Sequence, residues 1–230
     1  MTHSDREREQ DTDTGVDGLD RRAYLKLAGT AGVAAAGVGM ATTAGAQEDY
    51  RTITVPGGGR RLYRVGSGET IENILFDCTA YGADARIIAS GNDWTIRNIG
   101  FKGQMDHGAG SGYPNHIAAI GNGTIENVYV GNGVISDTRK GGIGVGAGHS
   151  GHIDVVNTHV AGWSDNGVYA AGMARDNGGG GTLAFDSCYL HDNNVSSLRI
   201  ASDGTTVRNT VVHNTNRVPS TTTCNCVNSR

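Results

Sequence analysis

Three aspartates, Asp137, Asp165 and Asp192, lie 28 and 27 residues apart, close to one period of a repeated unit. Carboxylates stacked on one edge can hold Ca2+ through hard oxygen ligands. Crowded carboxylates also raise one another's pKa, which separates the general acid of a glycosidase from its general base. The same residues belong to Asp-Asn and Asp-Thr pairs, which form turns. A different chemistry, β-elimination, needs a base to take the proton beside a uronic carboxylate and a cation to spread the developing charge. Arg139, Lys140 and Arg199 are the available cations, and His191 and His213 the titratable groups. Arg199 interrupts the apolar run Leu198-Arg199-Ile200, where it is expected to face outward from a strand. The expected catalytic set is Asp137, Asp165, Asp192, Arg199 and His191. The three aspartates are the expected metal ligands with Ca2+ as the cofactor, and Asp165→Asn is expected to stop turnover while leaving the fold intact.

These residues are positioned by a segment that recurs six times, anchored on Asn73, Asn98, Asn127, Asn157, Ser187 and Asn209 at spacings of 25, 29, 30, 30 and 22. Two positions before each anchor the residue is apolar (Ile71, Ile96, Ile125, Val155, Phe185, Val207), and three after it the residue is apolar again (Phe76, Phe101, Val130, Val160, Leu190, Val212). Period-two alternation after the anchor describes a strand with one buried face. A second apolar strand precedes each later anchor, as in Ile87-Ile88-Ala89 and Ile117-Ala118-Ala119-Ile120. Each period is therefore one coil of short strands, and the five asparagines and Ser187 form one column whose side chains bond from coil to coil. Tyr129, His159 and Tyr189 share the second position after the anchor and predict an outward aromatic stripe, suited to stacking on sugar faces or to packing under a loop.

The spacing and the Asn column resemble those of right-handed parallel β-helix repeat proteins, the superfamily of pectate lyases, polygalacturonases and many exported proteins of halophilic archaea. The resemblance covers about residues 50 to 218. It implies an all-β, single-stranded parallel solenoid of about six coils that binds or degrades an extracellular polysaccharide, as a lyase or a glycoside hydrolase, along one sheet face. Asn216-Arg217-Val218-Pro219 resembles the Arg-x-Pro element of pectate lyases without its second arginine. Gly148-His149-Ser150 and Leu198-Arg199-Ile200 are faintly similar to polygalacturonase elements, but no Asp-Asp pair follows the leader. A non-catalytic surface module and a truncated, inactive remnant are the alternatives.

Composition and the first fifty residues complete the outline. The chain has 230 residues, 37 glycines, 3 prolines and a net charge of -4, without the basic run that nucleic-acid binding requires. Arg21-Arg22 before Tyr24-Leu25-Lys26 and a weakly apolar run to about Ala41 resemble a twin-arginine export signal, with Ala44-Gly45-Ala46 as the cleavage site. The expected organisation is a leader over 1–46, disordered or helical, a β-helix over 47–218 and an irregular tail over 219–230, beyond which further coils are expected. The product is expected to be secreted and monomeric, with no membrane span after cleavage. Cys78, Cys188, Cys224 and Cys226 are too sparsely accompanied by histidine for a zinc site, and Cys188 is expected to be buried as a small apolar residue.

Overall fold

The computed structural model describes residues 50–105, 115–135 and 140–215. The leader, Asp106, His107, Asp137, Arg139, Asn216, Arg217, Cys224 and Cys226 lie outside them. All the described strands pair in parallel, in two sheets. One sheet begins with β1 (Arg51–Thr54), β3 (Thr70–Asp77), β5 (Trp94–Lys102) and β7 (Gly123–Val130). It continues through β10 (His159–Ala161), β13 (Tyr189–His191) and β16 (Val211–His213), flanked by β9 (His152–Val156), β12 (Thr182–Asp186) and β15 (Thr206–Arg208). The second sheet runs β14 (Ser196–Ile200), β11 (Asn166–Ala170), β8 (Gly141–Val145), β6 (Asn115–Ala119), β4 (Asp84–Ala89), β2 (Arg60–Val65). The chain is thus an all-β parallel solenoid of about six coils.

The repeat columns are the packing columns. Ile71 stacks on Ile96, Ile96 on Ile125, Ile125 on Val155, and Val155 on Phe185, and from Ile96 onward these are essentially inaccessible to solvent. Phe76, Phe101, Val130, Val160 and Leu190 form the second buried column, and Ile87, Ile117, Ile143 and Val168 face them from the other sheet. Each such side chain contributes roughly 1.5–3 kcal/mol by leaving water. In the last described coil Val207, Val211 and Val212 are exposed.

Every anchor adopts a left-handed backbone: Asn73, Asn98, Asn127, Asn157, Ser187 and Asn209 have φ between 46° and 56°. Asparagine tolerates that geometry at the least cost after glycine, so the anchor marks a bend within the strand. In the early coils β3, β5 and β7 run continuously through it. In later coils the bend divides the same segment into β9 and β10, β12 and β13, and β15 and β16. The amides form a ladder: Asn98 Nδ2 donates to Asn73 Oδ1 at 2.8 Å, Asn127 to Asn98 at 2.7 Å and Asn157 to Asn127 at 3.3 Å. Ser187 is too short to continue it. There the Asp186 carboxylate accepts from both Ser187 Oγ and Asn209 Nδ2, which with the Arg208 charge holds its pKa below the ordinary value.

Asn127→Ala is expected to destabilise the chain by about 2–4 kcal/mol, through left-handed strain and the loss of two ladder bonds. Asn127→Gly, which relieves the strain but not the ladder, should recover about 1 kcal/mol of that. Urea unfolding of both variants measures the difference, and equal stabilities would remove backbone geometry from the explanation.

A second corner admits only glycine. Gly121 has φ +89° and a Cβ there would lie 1.9 Å from the Gly91 carbonyl oxygen of the preceding coil. Gly123 makes room for the indole of Trp94, because a Cβ there would lie 2.2 Å from the ring, and the indole N–H donates to the Ile120 carbonyl at 3.0 Å.

Candidate functional site

The most concentrated chemistry lies on the outer face of the first sheet. Register places Gly100 beside Tyr129, Tyr129 beside His159, His159 beside Tyr189, and Tyr189 beside Val211. The expected stripe therefore forms. Tyr129 and His159 meet edge to face with centroids 5.0 Å apart, and His159 and Tyr189 tilt together at 5.1 Å. Burial pushes the Tyr129 phenol above its ordinary pKa.

Two positions further along the strands a second column carries Ala161, His191 and His213. The small Ala161 is followed by two imidazoles that stack nearly parallel, 7° apart in plane and 5.3 Å between centroids. The two columns are joined by short polar contacts. His159 Nε2 and His191 Nε2 are 3.0 Å apart, His191 Nδ1 is 2.8 Å from Asp192 Oδ2, and Tyr189 Oη is 2.7 Å from His213 Nε2. A carboxylate beside Nδ1 requires a proton there, so His191 donates to Asp192. In the neutral ring its Nε2 is then the acceptor, facing His159 Nε2 as the donor. Asp192, itself in a left-handed conformation, is fixed through Oδ1 by the backbone N–H and hydroxyl of Thr215. The result is an oriented series, Asp192 to His191 to His159, beside a Tyr189–His213 pair. His191 and Asp192 side chains are each about one-fifth exposed (20% and 18%), so solvent and a ligand can reach them.

The other expected site residues lie elsewhere. Asp165 donates its backbone N–H to the Lys140 carbonyl and accepts from Val195, so its equivalents in the neighbouring coils are Lys140 and Val195. Asp192 follows the Ala161–His191 pair and aligns with Gly162. The two aspartates therefore do not stack, and the Asp165 side chain accepts from its neighbour Asn166 at 2.7 Å. Asp137 lies outside the described residues. Among those residues no group of three His, Cys, Asp or Glu side chains is placed to hold a metal ion. Arg199 does face outward, but from the second sheet, where its guanidinium sits 5.4 Å from the ring of Tyr169. Lys140 is buried, and desolvation with the nearby Arg86 charge lowers its pKa.

His149 and His152 flank a glycine turn, and His149 is structural: its Nε2 reaches the Thr182 carbonyl and its Nδ1 accepts from Gly121 N–H. Cys78 and Cys188 are buried free thiols whose pKa values burial pushes up to about 12 and about 11.

The sequence offered no signal for a polar group inside the solenoid. Asp84, Arg86 and His116 are all at most 4% exposed. Arg86 Nε pairs with Asp84 Oδ2 at 2.6 Å, while Asp84 Oδ1 and both ring nitrogens of His116 make no hydrogen bond.

Neither a family model, nor a curated protein, nor a solved structure matches the chain. The coils and the ring cluster themselves therefore carry the functional reading.

Proposed function

We propose that this β-solenoid is an exported protein that binds an extracellular polysaccharide along the ring stripe of its first sheet and cleaves it by β-elimination. The observation that carries the reading is the joined pair of columns: flat rings at Tyr129, His159 and Tyr189 beside the Asp192–His191–His159 series and the Tyr189–His213 pair. Flat apolar rings suit the faces of sugars; of what elimination needs, the stripe supplies two adjacent proton-handling groups, one to take a proton and one to return it to the leaving oxygen, while the expected cations Arg199 and Lys140 lie off it. Tyr189, able to hand its proton to His213, fits the first role. His191, oriented by Asp192, fits the second in its imidazolium form, in which Nε2 carries the proton to be returned.

Hydrolysis is less well supported, because Asp165 and Asp192 occupy different columns and do not form the carboxylate pair that it requires. The dispersal of Asp165, Asp192 and Arg199 over separate parts of the coil favours one alternative, a non-catalytic binding module that uses the same stripe.

The test is a panel of uronic and neutral polysaccharides, with and without Ca2+, read by ultraviolet absorbance of unsaturated products and by reducing ends. Unsaturated product is the expected result. Reducing ends alone would mark a hydrolase, binding without product would mark the module, and neither binding nor product from folded protein would overturn the proposal.

A further inference from the structure

The nitrogen pair at the centre of the cluster has a second use. A divalent transition metal bonds imidazole nitrogen at about 2.0–2.1 Å. The 3.0 Å separation of His159 Nε2 and His191 Nε2 would close on such an ion at a nitrogen–metal–nitrogen angle of roughly 91–97° at that bond length. That angle is the right-angle bite of tetragonal coordination and is narrower than a tetrahedral one. Square-planar and tetragonal N,O sites select Cu(II) or Ni(II), and Cu(II) binds the more tightly of the two.

We propose that His159 and His191 form a two-nitrogen site for a tetragonal divalent metal, Cu(II) in the first place. The Asp192 carboxylate on His191 Nδ1 at 2.8 Å supports it independently. A carboxylate behind a metal-binding imidazole fixes the ring and raises its basicity. The pairing is already present, and Thr215 holds the carboxylate in place. His159 moves its proton from Nε2 to Nδ1 when the metal enters, so both imidazoles bind neutral and no proton is released. From the described residues, which hold no third His, Cys, Asp or Glu ligand, the proposed site takes the two imidazoles, with water or ligand oxygen in the remaining equatorial positions. A bound metal would take the His191 Nε2 lone pair and would therefore exclude the proton-transfer role of that atom.

The test is titration of the full chain with Cu(II), followed by electron paramagnetic resonance. His3 lies outside the described residues, so the titration is made in a His3→Gln background. One equivalent is expected to bind, with an axial spectrum split by two nitrogens. His159→Gln and His191→Gln should each abolish that signal. Asp192→Asn should weaken binding by about 10–100-fold, and His152→Gln, exposed at the start of β9, should leave it unchanged. The absence of a saturable equivalent in the folded parent, or the same affinity and spectrum in both histidine variants, would overturn the proposal.

Discussion

Acid is expected to unfold this protein through His116, and His116→Leu is expected to remove that sensitivity. The ring is 2% exposed and packs between Phe101, at 3.9 Å between centroids, and Trp163, at 5.4 Å. Neither nitrogen has a hydrogen-bond partner. Burial first, and the Arg86 charge second, hold the folded-state pKa down to about 3 from an ordinary 6.5. Above pH 6.5 the ring is neutral whether the chain is folded or unfolded, and it contributes no pH dependence. Between 6.5 and about 3 the unfolded chain binds a proton that the folded chain refuses, so stability falls as the pH falls. One proton corresponds to about 1.4 kcal/mol per pH unit, so the whole window represents a loss on the order of 4 kcal/mol. Leucine has similar bulk and no unpaired nitrogens. His116→Leu should therefore gain about 1–3 kcal/mol at neutral pH and lose one proton's worth of slope. Urea unfolding at pH 7, 5.5 and 4 reads both effects, and parallel slopes for the two proteins would show that His116 is not the sensor.

The second large effect concerns His191. If elimination takes place on the stripe, His191→Gln should lower kcat by about 10²–10⁴, the contribution of a positioned proton-transfer group. Tyr189→Phe, which removes the hydroxyl facing His213 but keeps the ring, should lower kcat to a similar degree while leaving KM nearly unchanged. Both side chains lie on the outer face, so neither change should move the thermal midpoint by more than a few degrees. Asp165→Asn and Arg199→Ala should leave turnover intact, because Asp165 bonds to Asn166 at one corner and Arg199 lies over Tyr169 on the other sheet. Loss of activity in either of these, with His191→Gln unaffected, would move the site off the stripe.

The contrast between the stripe and the aspartates shows what a repeat discloses. Tyr129, His159 and Tyr189 stand at one offset from their anchors, and stacking follows because the coils repeat most faithfully next to the bend. Asp165 and Asp192 are 27 residues apart, yet Asp165 is eight residues after Asn157 and Asp192 only five after Ser187. Coils of unequal length place the difference in their loops, so distance between repeats is a poor measure of column and distance from the anchor a good one. Counted from the anchors, His191 and His213 already fall in one column.

The sequence by itself determined the solenoid, its two apolar columns, the asparagine ladder and the outward rings. All of these follow from alternation and from a residue type able to sit at the left-handed bend. Only the tertiary structure decided which polar groups meet. The 3.0 Å contact of His159 with His191 joins residues 32 apart across two different columns, and its distance depends on how closely neighbouring coils pack. The burial of Asp84, Arg86 and His116 was decided in the same way. Polar residues beside apolar ones in a strand read as solvent-facing by alternation, and only the assembled coils enclose these three.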